Sequence, residues 1–157
     1  MNNKSNKITT PKKALSKARE YCAYSERCQQ EMRNKLYEWG LIPDVVESII
    51  AELIIENFIN EERYAKMFAG GKFRIKKWGR IKIRQKLQAK NISEYCIRKG
   101  FDEIDEADYM KTLKEISEKK ARLVNETDEY IKRDKIAKYI INKGFEPEIV
   151  WKVLIGD

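Results

Sequence analysis

The sequence predicts an all-α protein of three tandem three-helix repeats, stacked into an elongated, curved array. Apolar residues recur at the three- and four-residue spacing of amphipathic helices. The 157 residues include only three prolines and seven glycines, too few for a loop-rich all-β fold. One pattern of helix stop and restart also occurs three times along the chain. An apolar share of 42% beside 37% charged residues suits amphipathic helices with thin cores.

The first repeat is expected at residues 11–58, behind a polar, disordered tail at residues 1–10. Proline is tolerated in the first turn of a helix, where its missing N–H costs nothing, and glycine commonly follows the last turn. Pro11 is therefore expected in the first turn of the first helix, Gly40 at the end of the second and Pro43 at the start of the third. The second helix is expected from about Cys28 to Trp39. The apolar positions at helical spacing are Ala14, Leu15, Ala18, Tyr21, Cys22, Met32, Leu36, Val45, Val46, Ile49, Ile50, Leu53 and Ile54.

The second repeat is expected at residues 59–102. Its first and third helices follow residues whose side chains accept hydrogen bonds from free backbone N–H groups. These N-caps are Asn60 and Ser93. Two glycines, each costing about 1 kcal/mol relative to alanine inside a helix, predict a bend or short break at Gly70 and Gly71. The second helix is expected from Gly79 to Lys90, with Ile83 and Leu87 buried.

The third repeat is expected at residues 103–157. Asp105 caps its first helix, which ends near Leu123. The second helix is expected from about Glu126 to Lys143, before a stop at Gly144, and Pro147 opens the last one. The positions expected to face inward on the first two helices are Tyr109, Leu113, Ile116, Tyr130, Ile136, Tyr139 and Ile140.

The three repeats share one pattern of two apolar residues four apart, a helix stop, and two further apolar residues four apart. The aligned stops are Gly40, Asn91 and Gly144, at offsets of 51 and 53 residues. A second correspondence aligns residues 59–64 with residues 104–109. One such unit cannot bury its apolar faces alone, so neighbouring units must stack.

Positive charge is concentrated between Arg63 and Ser93, which contain 11 Lys or Arg and no Asp or Glu, while the whole chain carries +8. Pairs four residues apart therefore cannot neutralise the charge within this stretch. It is either a solvated face that keeps the protein soluble or a surface that binds a polyanion or an acidic partner. The residues predicted to make that contact are Arg74, Lys76, Lys77, Arg80, Lys82, Arg84 and Lys86.

Other features of this region also have more than one interpretation. The helix start at Gly79 offers backbone N–H donors that a phosphate could accept. Phe73 and Trp78 are either stacking surfaces or part of the core. The acidic segment Asp102–Asp108 compensates a helix dipole, supplies an internal counter-charge, or contacts basic residues of a partner.

Several classes of function have no support in the sequence. Histidine is absent, three cysteines lack the spacing of a zinc site, and no phosphate-binding glycine motif occurs. We therefore expect no catalysis, no metal and no cofactor. No apolar run approaches the roughly 18 residues of a membrane span. The odd number of cysteines favours a reducing compartment, which we take to be the cytoplasm.

Three segments resemble motifs of the RecX family of bacterial regulators of the RecA recombinase. Residues 27–36 resemble its R-S-x-x-E-L-x-x-K-L, and residues 58–65 resemble G-[YF]-[IL]-[DN]-[DE]-x-[RK]-[FY]-A. Residues 78–92 resemble an aromatic residue followed by G-x-x-x-I-x-x-x-L-x-x-K-G-I. Cys28 replaces the capping serine, so that helix start is weaker or capped otherwise. Asn91 replaces a glycine but tolerates the left-handed conformation, so the helix stop should survive.

The resemblance covers roughly residues 14–155 and implies a function. It implies a protein that lodges in the groove of the RecA–DNA filament and inhibits recombination and ATP turnover. A sequence-nonspecific helical DNA-binding protein is the alternative, and an adaptor that binds only a protein partner is a third interpretation. The expected partners are RecA, its filament and single- or double-stranded DNA, with no membrane and with the chain as a monomer.

Overall fold

A computed structural model describes residues 10–156, and every regular element in that range is helical. The predicted tail thus lies outside the described residues, apart from Thr10. The helix Glu61–Gly71 runs directly into a π-helical turn, Lys72–Lys76. The nine α-helices of the described range are α1 Pro11–Tyr24, α2 Gln29–Glu38, α3 Pro43–Ile55, α4 Glu61–Gly71, α5 Arg80–Ala89, α6 Glu94–Phe101, α7 Glu106–Leu123, α8 Glu129–Asn142 and α9 Pro147–Ile155.

The helix boundaries follow the capping chemistry of the sequence. Side chains of the predicted caps accept backbone N–H groups of the first turns, at 2.9 Å for Asn60, 3.2 Å for Ser93 and 3.0 Å for Asp105. The predicted start of α8 at Glu126 is wrong. Asp128 is the cap there, because its carboxylate accepts two N–H groups of the first turn.

The expected break at the glycine pair is not present. Gly70 and Gly71 both belong to α4, and the helix widens into the π-helical turn only after them. The guanidinium of Arg74 lies over Gly70, where an added Cβ would come within 2.9 Å of it. The absence of a side chain at Gly70 thus leaves room for the side chain of Arg74, which extends back along the helix.

The buried residues form two apolar clusters. One lies within α1 to α3 and the following Ile59, and the other joins the helices of the second and third repeats and includes Cys28, the residue before α2. Two tyrosines of α8 that we expected to be buried are exposed, Tyr130 to 85% and Tyr139 to 42%. The helix buries a narrow stripe instead, which consists of Ile136, Ala137 and Ile140.

The repeats meet at two equivalent joints, in which the first turn of one repeat's second helix contacts the next repeat's first helix. In the first joint, the N–H of Gln29 donates to Glu61 at 3.1 Å, and the hydroxyl of Tyr64 donates to Glu31. Glu61 thereby caps α2, since Cys28 makes no capping hydrogen bond. Burial raises the pKa of the Glu61 carboxyl.

The second joint uses the equivalent positions. The N–H of Arg80 donates to the hydroxyl of Tyr109 at 3.1 Å, and its guanidinium pairs with Glu106 at 2.8 Å. The helix stops also take part. The N–H of Ile81 donates to the carbonyl of Gly144 at 2.9 Å, while in the first joint the side chain of Asn91 donates to Gln30 at 2.9 Å. Equivalent positions of the repeats thus meet in both joints, through different hydrogen bonds.

Candidate nucleic-acid interface

The seven predicted contact residues lie on two consecutive segments of the second repeat. Two belong to the π-helical turn, one follows it, and four lie on α5. The residue between the segments, Lys77, has a φ of 58° and so ends the helical run in the left-handed conformation. In chain order the seven residues are Arg74, Lys76, Lys77, Arg80, Lys82, Arg84 and Lys86.

Arg80 is held inside the second joint. Its guanidinium forms ion pairs with Glu106 at 2.8 Å and Glu146 at 2.9 Å and lies 3.9 Å from the ring centroid of Tyr109. Burial opposes the charge, but hydrogen bonding to Glu106 and the charge of Glu146 outweigh it, so the pKa of Arg80 is raised. This arginine joins two repeats.

Arg84, one turn further along α5, also has a partner within the fold. It pairs with Glu94 in the first turn of α6, and its guanidinium lies 5.1 Å from the ring centroid of Phe101. The stretch lacks acidic residues of its own, yet carboxylates from other helices compensate both of these arginines.

The other five predicted residues carry uncompensated charge. Among residues 10–156, no carboxylate lies within 4.0 Å of their cationic groups. Four of the five are exposed and one is half-buried. We call these five residues the basic face: Arg74, Lys76, Lys77, Lys82 and Lys86.

The two aromatic residues of the basic stretch have different environments. Phe73 is core, with 5% of its surface exposed and its ring 5.7 Å from that of Tyr109. Trp78 is half-buried and packs against the same core. The ammonium groups of Lys72 and Lys82 lie 5.2 and 4.7 Å from its ring centroid. The ring of Trp78 therefore makes cation–π contacts with two lysines.

The expected phosphate site at the start of α5 is wrong. Backbone N–H groups attract an anion only while they are free, and three successive ones here already have partners. Gly79 donates to the carbonyl of Lys143 at 2.8 Å, and the next two N–H groups make the joint contacts described above. These three N–H groups are therefore not available to an anion.

An apolar groove lies beside the basic face. Its volume is about 280 Å³, and its exposed apolar side chains are Met67 at 45% and Ile75 at 78%. Lys72 and Lys76 also line it. A partner at this edge would therefore meet both apolar and cationic groups.

Two lysines outside the predicted set belong to this region. Lys72 lies in the basic stretch and flanks Trp78, so the concentration of positive charge in the sequence could have identified it. Lys143 comes from the third repeat, and its ammonium donates to the carbonyl of Lys76 at 3.4 Å. No local pattern marks Lys143, since 67 residues separate the two.

Other kinds of site have little support in the described part of the chain. Residues 10–156 contain no group of three or more metal-ligating side chains. Burial raises the pKa of the Cys22 and Cys28 thiols to about 11. No described helix combines the length and apolar character needed to cross a membrane.

Fold and surface together define an all-α protein of three-helix repeats with a basic face on its middle repeat. Two family models match the chain, the first three-helix domain of RecX at residues 14–53 and the second at residues 60–100, together more than half of it. The chain therefore belongs to the RecX family, which is a family of regulatory proteins.

Relatives and solved structures agree with this assignment. The regulatory protein RecX of Clostridium perfringens is 31% identical over 76% of this chain and 57% of its own length. That of Prosthecochloris aestuarii is 26% identical, over 91% of this chain and 92% of its own. The chain thus spans little more than half of the first relative. The crystal structure of RecX from Lactobacillus salivarius has the same fold, with a TM-score of 0.84, 22% identity, and coverage of 93% of this chain and 95% of that one.

Proposed function

We propose that this chain is a negative regulator of RecA. It binds the RecA–DNA filament and inhibits the recombinase and ATPase activities of RecA during DNA repair and the SOS response. The observation that carries the proposal is the basic face of a RecX-family protein, five cationic side chains that have no carboxylate partner among residues 10–156. The protein works in the cytoplasm as a monomer, by binding and without a cofactor.

The basic face supports binding to phosphates or to acidic filament surfaces for a physical reason. An uncompensated lysine attracts phosphate and releases counterions on binding, which makes the affinity fall with salt. The five cations lie on the π-helical turn, at the residue that follows it, and on α5. Arg80 and Arg84 of the predicted set contribute by holding α5 against its neighbours.

The alternative function is that of a sequence-nonspecific DNA-binding protein without a RecA-specific role. Lysines favour it, because an ammonium binds phosphate as a point charge and reads no base sequence. The two functions differ in the effect of RecA. A filament regulator prefers the filament to naked DNA, whereas a plain DNA-binding protein does not.

The test is RecA-catalysed ATP hydrolysis on single-stranded DNA, titrated with this chain. The basic-face variant carries Arg74→Glu, Lys77→Glu, Lys82→Glu and Lys86→Glu and leaves the joint arginines unchanged. The control carries Lys12→Glu, Lys13→Glu, Lys17→Glu and Arg98→Glu, so both variants contain one arginine and three lysine changes. These control positions are exposed and belong to α1 and α6.

We expect the chain and the control to inhibit ATP hydrolysis well below one molecule per RecA protomer, and the basic-face variant to lose at least tenfold in potency. Far-UV circular dichroism checks that both variants are folded. Equal inhibition by both variants would reject the role of the basic face. Absence of inhibition, with salt-sensitive binding to naked DNA, would support the alternative.

A further inference from the structure

The outer end of the third repeat carries an exposed apolar groove between α8 and α9. Its volume is about 590 Å³. Three of its apolar side chains are well exposed, Tyr130 at 85%, Ile131 at 46% and Ile155 at 55%. Trp151, Arg133 and Asp134 complete the lining.

The repeat pattern aligns this groove with the two joints, although Arg133 lies one turn inside α8 while Gln29 and Arg80 begin their helices. By the offsets of the repeat, Arg133 of α8 is equivalent to Arg80 of α5 and Gln29 of α2. In the first joint, Gln29 and Ile54, at the end of α3, border the start of α4. Arg133 and Ile155, near the end of α9, line the groove. A helix seated here would continue the array.

Both existing joints receive a helix of the same chemistry. The entering helix presents a carboxylate in its first turn and a tyrosine three residues later, as Glu61 with Tyr64 and as Glu106 with Tyr109. In the second joint this carboxylate pairs with Arg80 at 2.8 Å.

Arg133 is available for the same contact. It is exposed, and no carboxylate lies within 4.0 Å of its guanidinium among the residues that the structure describes. Its neighbour Asp134 is already paired with Lys138 at 2.8 Å. Among the described residues, the groove therefore offers one cation without a carboxylate partner, beside apolar side chains.

We infer that this groove binds a helix supplied by another protein, one that begins with a carboxylate and carries a tyrosine three residues later. Arg133 pairs with the carboxylate, while Tyr130, Trp151 and Ile155 contact the apolar side of the helix. This site lies at the outer end of the array, uses none of the residues of the basic face and does not depend on the proposed regulation of RecA.

The probe is a fluorescent peptide with the sequence of residues 104–118, which contains the Glu106 and Tyr109 pattern. A lactam between its Lys111 and Glu115, exposed in α7 and four residues apart, holds the peptide helical. It should not displace α7 from the protein, because α7 is tethered and so competes at an effective concentration of roughly millimolar.

Fluorescence anisotropy with the full chain measures the binding. We expect saturable binding that weakens at least tenfold with Arg133→Glu or Tyr130→Ser and is unchanged by Arg98→Glu, an exposed arginine of α6. A peptide carrying Glu106→Lys and Tyr109→Ala should bind at least tenfold more weakly. Because Tyr130 is 85% exposed, its serine variant should keep the fold and the melting temperature.

Three outcomes would overturn the inference. The first is absence of binding, and the second is binding that Arg133→Glu and Tyr130→Ser leave unchanged. The third is concentration-dependent self-association in analytical ultracentrifugation that Tyr130→Ser abolishes, since the groove would then belong to a second copy of this chain.

Discussion

Removing the hydroxyl of Tyr109 tests the joint between the second and third repeats. Tyr109 is fully buried, and its hydroxyl donates to Glu146 and accepts the N–H of Arg80 at 3.1 Å. In Tyr109→Phe the ring contacts remain, and Glu146 keeps its ion pair with Arg80 at 2.9 Å. One backbone N–H then lacks a partner, which costs about 2 kcal/mol of unfolding free energy.

Urea denaturation followed by circular dichroism measures this loss, and thermal melting should show a decrease of about 4–8 °C. Tyr64→Phe in the first joint should cost less, about 1 kcal/mol, because only a carboxylate loses a donor there. Tyr24→Phe is the control, since Tyr24 is 88% exposed. A loss below about 0.5 kcal/mol for Tyr109→Phe would refute the reasoning.

Three further predictions concern close backbone approaches and buried thiols. A Cβ at Gly79 would lie 2.3 Å from the backbone of Gly144, so Gly79→Ala should lower the unfolding free energy by about 3 kcal/mol in urea; a loss below about 1 kcal/mol would contradict the packing. Asn91 has a φ of 59°, so the same measurement should show a loss of about 1 kcal/mol for alanine and little change for glycine; equal effects of the two would be inconsistent with a left-handed stop. The pKa of the Cys22 and Cys28 thiols is about 11, above the ordinary 9.0. The unfolded chain thus loses these protons first, and melting temperature should fall from about pH 9 upward, with a weaker slope in the double alanine variant; an unchanged slope would reject this origin.

The sequence predicted the helices well where a single residue decides a boundary. Asn60, Ser93 and Asp105 cap helices because their side-chain oxygens can accept only N–H groups that a helix start leaves free. The departure from glycine at Asn91 was also predicted correctly, since the left-handed stop survives. The residue boundaries of the three repeats stay a prediction.

Burial on α8 and the structure at the glycine pair were harder to predict. Tyr130 fits a helical period, yet none of the described residues covers it, and 85% of its surface is exposed. The spacing of apolar residues predicts which side of a helix is apolar, but it does not predict whether another helix packs against that side. The intrinsic cost of Gly70 predicted a break, whereas the helical run continues and the side chain of Arg74, four residues later, lies over Gly70.

The candidate site was only partly predictable for a similar reason. The basic stretch was evident as a run of charge, but its compensation was not, because Glu106, Glu146 and Glu94 come from helices distant in sequence. Sequence distance also concealed the filled donors at the start of α5. Local sequence thus located the basic stretch, and tertiary contacts separated its two carboxylate-paired arginines from the cations that have no such partner among residues 10–156.

The central claim is that the basic face binds the RecA–DNA filament in preference to naked DNA. The most direct measurement is equilibrium binding of the fluorescently labelled chain to preformed RecA filaments and to the same single-stranded DNA alone, at equal salt. We predict binding to the filament at least tenfold tighter than to DNA, and loss of that preference in the basic-face variant. Equal affinity for filament and DNA, or a preference that the variant retains, would contradict the claim.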